Sequence, residues 1–351
     1  MNKLAGMVVG SWVDKNGVPI EPMKRHLPVL TNSSLTTFRR CPREYYFRYV
    51  LNRKARRTSV ALKFGTFFHI GLNAWWRAKG DRYDAALLAM SQHNDEDIGP
   101  FERVKAETLM AGYSARWGDE PYETIAVEKH FGLPIVFDDS RAPAFELAGS
   151  IDAVVSSPDA VHNVEHKTTS ADISAGSDYW RHVVALDSQV STYEAASKAM
   201  GFDVRDTIYD VIRKPELVPL RATPDDVKKY TKPTKAEPIP RLYANQREND
   251  ETPEEYRERL TADIVARPEW YFQRQTIVRL DNDNEEHARD VSQTAALIRF
   301  SEQRNAWPRS PKACERYRRM CDFFPVCSGE ASIDDGTRFE HKTRQHEELS
   351  E

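Results

Sequence analysis

Two short runs separated by a turn constrain this chain more than any other feature. Gly149-Ser-Ile-Asp-Ala-Val-Val155 and Asn163-Val-Glu-His-Lys-Thr-Thr169 have strand character, and Ser156-Ser-Pro-Asp159 between them supplies turn chemistry. Read as a β-hairpin, they carry Asp152, Glu165 and Lys167. Side chains two apart in a strand share a face, so Glu165 and Lys167 point the same way and His166 points the other way. Two carboxylates and an amine on adjacent strands can hold a divalent cation and a phosphate together. Mg²⁺ or Mn²⁺ takes oxygen ligands and makes its water a better nucleophile, while an ammonium can steady that water or developing charge. The plainer alternative is a surface hairpin with a cross-strand Asp–Lys pair.

The rest of the chain supplies a setting for the hairpin. Residues 1–30 are irregular, with Pro19, Pro22 and Pro28, and read as a poorly ordered lead-in. Ser33 or Ser34 can cap a short helix with Leu35 and Phe38, and Cys41-Pro42 interrupts it before a second helix at about 43–51. In the run from Phe64 to Trp76, His69, Leu72 and Trp76 fall on one helical face, where a histidine is ordinarily a core or capping residue. Trp75 and Trp76 read as core. Amphipathic helices are expected near 82–92 and 101–117, and strands at 124–131, 133–137, 145–155 and 161–167. A helix over 186–200, with Gln189 and Tyr193 one turn apart on the same side, leads to a strand at 204–213. Residues from 215 to about 251 are polar and proline-rich, which suggests an insertion or long loop. A helix at 253–266, a strand at 271–280 and a helix at 284–300 follow, and a disordered tail is expected over 329–351.

Charge adds a second constraint. The net charge is only −4, yet from Arg39 to Arg57 there are eight Arg or Lys and one acid, Glu44, while the tail after Gly329 is rich in acids. The tyrosines of the basic run could stack on unpaired bases as its cations follow phosphates, or they could pack inward and leave only the arginines to solvent. No apolar run approaches the roughly 18 residues of a membrane-spanning helix. With no basic-then-apolar leader either, a cytoplasmic protein is expected, in a prokaryotic or phage-infected cell. The four cysteines, Cys41, Cys314, Cys321 and Cys327, are then not expected to pair as disulfides.

With these motifs assembled, the chain resembles the PD-(D/E)XK nuclease superfamily through Gly-Ser-Ile-Asp152 and Glu165-His-Lys167. Three further runs are similar to the RecB/AddB-like exonuclease branch, with its CRISPR-adaptation and phage relatives. They are Ser34-Leu-Thr-Thr-Phe-Arg-Arg-Cys-Pro-Arg-Glu-Tyr-Tyr46, Gly65-Thr-Phe-Phe-His69 and Gln189-Val-Ser-Thr-Tyr193. The resemblance spans about 31–328 and departs from a strict Pro-Asp pair at Ile151. It implies an α/β fold of the restriction-endonuclease type: a central mixed sheet flanked by helices, a helical N-terminal region and a cysteine-stapled C-terminal segment. It implies that His69, Asp152, Glu165 and the carbonyl of His166 ligate the metal, with Lys167 orienting water or phosphate and Gln189 and Tyr193 lining the site. It also implies a [4Fe–4S] cluster that joins Cys41 to Cys314-x6-Cys321-x5-Cys327. That spacing departs from the commoner close Cys pair and leaves a structural Zn²⁺ site open.

The function implied is a metal-dependent DNA exonuclease acting on single strands or ends, in recombination, repair or phage DNA processing. Without a phosphate loop in this chain, unwinding would fall to a helicase or recombination partner. The alternatives are a non-catalytic DNA-end-binding subunit and a zinc-stapled protein that binds a partner through 215–251.

Overall fold

The hairpin lies at the centre of a mixed sheet, six-stranded among the described residues. The computed structural model describes residues 27–56, 60–93, 98–137, 142–233, 239–316 and 319–349. In chain order come Val29–Leu30 (β1), Asn32–Arg40 (α1), Pro42–Tyr45 (α2), Arg53–Ala55 (β2), Val60–Arg77 (α3), Arg82–Gln92 (α4) and Pro100–Trp117 (α5). Next are Glu123–Val136 (β3), Pro143–Ser156 (β4), Val161–Thr169 (β5), Ser188–Ala199 (α6), Val204–Arg213 (β6), Pro253–Ala266 (α7), Pro268–Tyr271 (α8) and Phe272–Ile277 (β7). The chain continues with Asp281–Arg304 (α9), the short pair Glu315–Arg316 (β8) and Arg319–Met320 (β9), Phe324–Ser328 (α10) and Phe339–His341 (β10).

The strands β3, β4, β5, β6 and β7 lie side by side, with β1 parallel to β4. β4 and β5 pair antiparallel with Ala153 opposite Val164, and β6 runs parallel to β5 after the crossover through α6. Both faces of the sheet are covered, so its central strands are largely buried even where, as in β5, many of their residues are polar. On one face Phe67, Phe68, Leu72, Trp75 and Trp76 of α3 pack with Val164, Ile208 and Ile212. On the other, Leu35, Phe38, Tyr193, Val291 and Ile298 pack with Phe145, Leu147 and Val154. This is the expected α/β architecture, a central mixed sheet flanked by helices. No helix among the described residues is long and apolar enough to cross a membrane.

Several expectations need correction. Thr31, rather than Ser33 or Ser34, is the N-cap of α1: its hydroxyl accepts from the Ser34 backbone N–H, and Ser34 reciprocates in a capping box. The lead-in joins the sheet through Val29 and Leu30, which pair with Glu146 and Leu147; residues 1–26 lie outside the described residues. The second helix is a single α-turn continued by a π-helical turn over Tyr46–Val50. The two strands expected over 124–137 are one long strand that absorbs its irregularity as register shifts.

The tail is the largest correction. Residues 329–349 are folded: β10 pairs antiparallel with β2, Phe339 stacks on Phe323, and Lys342 and His346 are buried. Opposite charge explains the docking, because the acidic tail lies against the basic run. Arg53 pairs with Asp334, and Lys54 Nζ lies 2.8 Å from Glu347 Oε1. Arg40 and Arg48 pair with Glu44, and Arg43 donates to the Trp307 carbonyl. Tyr45, Tyr46 and Tyr49 pack inward against Trp307, Phe38 and His346. The basic run therefore braces its own fold and does not offer a stacking surface to nucleic acid.

Candidate active site

Register places the three hairpin residues on one side of the sheet. Asp152 lies next to the Ala153–Val164 pair, and its Oδ2 accepts the His166 backbone N–H at 2.8 Å. Two residues apart on β5, Lys167 reaches back to form an ion pair with Glu165. Lys167 Nζ also donates to Gln189 Oε1 at 2.8 Å, and Gln189 Nε2 donates to the Tyr193 hydroxyl at 2.6 Å. Gln189 and Tyr193 thus meet the site from one face of α6. Asp187, the N-cap of that helix, accepts from the Gln189 N–H and from the Tyr209 hydroxyl.

The carboxylates are poorly compensated. Glu165 is 1% exposed, and its Oε2 has no hydrogen-bond partner among the described residues. Burial, only partly offset by Lys167 and worsened by Asp152, raises the Glu165 pKa to about 8. Burial likewise raises Asp152 to about 7 against the lowering effect of the His166 N–H. Burial works against the Lys167 charge too, but Glu165 and then Asp187 outweigh it and hold the ammonium above its ordinary value. Two buried carboxylates facing one ammonium leave a deficit of positive charge, which is the donor chemistry a divalent cation fits.

Protons compete with that cation, so a pH dependence follows. These carboxylates bind protons more tightly folded than unfolded, so their contribution to stability falls as pH rises from their ordinary range toward about 8. In EDTA, the melting temperature is expected to drop between about pH 5 and about pH 8, and Glu165→Gln to flatten the drop. Excess Mg²⁺ or Mn²⁺ should restore the loss at the alkaline end. Equal melting curves with and without metal at every pH would count against a cation at this site.

His69 lies on α3 with its ring 6.2 Å from that of His166, in an edge-to-face arrangement. Burial, then His166 and Lys167, depress its pKa to about 3, so it is neutral and keeps the lone pair a metal needs. The glycine four residues before it has a visible reason. A Cβ on Gly65 would sit 3.1 Å from Thr168 Oγ1, so glycine lets α3 approach β5 directly beside Lys167. Even so, among the described residues no group of three or more His, Cys, Asp or Glu side chains is arranged to hold a metal ion. Here Lys167 and the His166 N–H hold the two carboxylates.

Sequence reasoning missed two parts of the site. Behind the sheet the His166 ring accepts from Trp76 Nε1 at 2.8 Å and faces Asp210 Oδ2 at 3.1 Å. Asp210 also takes the Tyr113 hydroxyl at 2.7 Å and Arg274 at 3.1 Å. Asp206 and Asp210, acids among the apolar residues of β6, were the available signal. On β3, Glu128 takes a left-handed backbone conformation (φ 47°), and Asn73 at 2.6 Å and Ser150 at 2.9 Å hold its carboxylate. Its charge contributes to the raised pKa of Asp152. Nothing in its strand-like sequence marks it.

Cys41 and the clustered Cys314, Cys321 and Cys327, far apart in sequence, line one cavity of about 440 Å³ together with Glu44, Phe47, Arg309, Phe323 and Phe324. Burial pushes the Cys321 thiol up to about 11. Burial and then the neighbouring Cys41 and Cys314 raise Cys327.

Among solved structures, a protein of Eubacterium rectale described as a putative exonuclease aligns at 12% identity and a TM-score of 0.44, covering 87% of this chain and 88% of its own. SSO0001 aligns at 13% identity and a TM-score of 0.25, covering 70% of this chain and 79% of its own. No curated protein matches the sequence. The model of one family, the PD-(D/E)XK nuclease superfamily, matches residues 29–328. With most of its length matched, the chain belongs to the PD-(D/E)XK nuclease superfamily.

Proposed function

We propose that the protein is a metal-dependent deoxyribonuclease that degrades DNA from ends or single strands. The observation that carries this reading is the undercompensated pair Asp152 and Glu165, with Lys167 beside them and an orphaned Glu165 oxygen in the interior. His69, Asp152, Glu165 and the His166 carbonyl would hold Mg²⁺ or Mn²⁺, which supplies an acidified water and neutralises phosphoryl charge. The His166 ring cannot join them, because Trp76 and Asp210 hold it on the opposite face. Lys167 orients the scissile phosphate or the attacking water. Gln189 keeps the Lys167 ammonium from collapsing wholly onto Glu165, and Tyr193 fixes Gln189.

End-labelled linear DNA and covalently closed circular DNA separate the possibilities. With Mg²⁺ or Mn²⁺ the linear form should be degraded to short products and the circle spared, and EDTA should abolish the reaction. Equal cutting of circles would reassign the activity as endonucleolytic. Binding to ends with no cleavage under any metal would instead favour a non-catalytic subunit.

The four cysteines on one cavity would hold a [4Fe–4S] cluster, in a single nuclease domain taken as residues 31–328 and interrupted by the 215–251 insertion. The raised thiol pKa values of Cys321 and Cys327 mean that a bound group would have to supply the charge that makes those two sulfurs ligands. A single Zn²⁺, with Zn–S bonds of about 2.3 Å, would need the four sulfurs nearly in contact. All four cysteines share the lining of one cavity, which is the arrangement a shared cluster requires. The cluster would tie Cys41, at the start of α2, to the segment that carries the last three cysteines. Anaerobically purified protein should be brown and contain iron and acid-labile sulfide in equal amounts, and Cys321→Ser should lose both. Colourless protein with stoichiometric zinc would overturn the assignment.

A further inference from the structure

With the described part of the basic run, 39–56, engaged in contacts within the fold, a second basic segment becomes the candidate grip on a DNA strand. From Val227 to Arg247 the sequence holds six Lys or Arg against one acid, Glu237, in a chain of net charge −4. The described part of this segment is an ordered ribbon. Tyr230 bridges Leu242 in antiparallel fashion, Thr231 N donates to Arg241 O at 2.8 Å, and Tyr243 N donates to Lys229 O at 3.0 Å. Gln246 fastens the two sides by accepting from Lys229 N and donating to Val227 O. Lys228 is neutralised by Asp225 and Glu248, whereas Lys229 and Lys232 hold no ion pair among the described residues. Tyr230 and Tyr243 are 47% and 45% exposed.

The insertion that carries the ribbon leaves the sheet next to the end of β5, the strand of Glu165 and Lys167. Lys214 N donates to the Thr169 carbonyl at 2.7 Å, two residues beyond Lys167. Tyr256 then holds the Leu217 carbonyl at 2.8 Å, and Glu251 clamps the base by taking both the Leu220 N–H and Arg259. Cations interleaved with exposed aromatic rings suit a flexible polyanion whose unpaired bases offer π-faces, rather than a duplex, whose bases are stacked away. We propose that this ribbon grips the single-stranded part of the DNA substrate, with Lys229 and Lys232 on phosphates and Tyr230 and Tyr243 against bases. The inference rests on the nuclease reading and names the strand form that the same site takes.

The test uses the full chain carrying Asp152→Asn, so that DNA is bound but not cut. Anisotropy of an end-labelled oligothymidylate, and of a blunt duplex, is followed across a salt series. Lys229→Glu/Lys232→Glu should weaken oligothymidylate binding by more than about tenfold and lower the salt slope by roughly 1.4, the loss of two phosphate contacts. Tyr230→Ala/Tyr243→Ala should weaken it by about tenfold or more while leaving duplex binding and the salt slope unchanged. Unchanged affinity and slope in both variants, with parental binding intact, would overturn the ribbon's role; a protein partner on this surface would give that result. Equal weakening for oligothymidylate and duplex would overturn the single-strand assignment. If the parental chain neither binds nor, with Asp152 restored, cleaves any DNA, the nuclease reading itself fails. Matching circular dichroism and melting curves separate these effects from misfolding.

Discussion

Lys167→Ala is expected to lower metal-dependent DNA cleavage by about 10²–10³-fold while the fold persists. Two losses combine. The ammonium that steadies water or phosphate charge disappears, and Glu165 loses the cation that now restrains its pKa. Glu165 would then hold its proton more firmly at neutral pH and bind metal more weakly, so the defect should lessen as pH and Mg²⁺ rise. Lys167→Arg should rescue poorly, since a planar fork cannot take the place of a compact ammonium between Glu165 and Gln189. Asp152→Ala and Glu165→Ala should be inactive across that range, because they remove ligands rather than a charge beside them. Single-turnover cleavage of end-labelled DNA over a Mg²⁺ and pH series reads all four variants. Undiminished cleavage by Lys167→Ala would sink the assignment of roles.

The second large effect lies behind the sheet and concerns stability. Asp210→Ala is expected to cost about 3–5 kcal/mol, because Arg274 is left buried without its main partner. Asp210 is fully buried, and although burial disfavours its charge, Arg274 and then His166 outweigh it and hold the carboxyl well below its ordinary range. The sign is that of a depressed carboxylate. Its contribution is complete above the unfolded pKa of about 3.9 and is lost only as pH falls through the lower folded value. The same carboxylate fixes the His166 ring, and with it the stretch of β5 between Glu165 and Lys167. Replacing both charges, as Asp210→Leu/Arg274→Met, should recover much of the stability, since apolar isosteres need no compensation. Urea melts of the single and double variants measure this, and a loss under about 1 kcal/mol for Asp210→Ala would show that the network is not a buried ion pair.

Much of the frame was legible in the chain because it rests on local periodicity. The crossover from β5 through α6 to β6, and the α7 helix at 253–266, follow from runs whose apolar spacing fits one structure. Asp152, Glu165 and Lys167 could be grouped for the same reason: a strand alternates its faces, and a hairpin sets its partner. Gln189 and Tyr193 followed from one helical turn. The bulged β3 was less legible, because a register shift leaves no mark in a hydrophobic pattern.

The hairpin, its charged triad and the helix that walls it are governed by contacts between near neighbours, so the chain alone specifies them. Which charges are available depends instead on the folded whole. Folding docked the acidic tail onto the basic run at 39–56, drew Cys41 and the three late cysteines around one cavity, and set Asp210 and Arg274 behind His166. It also left Glu165 with an unpaired oxygen beside Asp152. Burial and long-range pairing fix a group's charge and its partners, and neither can be read from spacing along the chain.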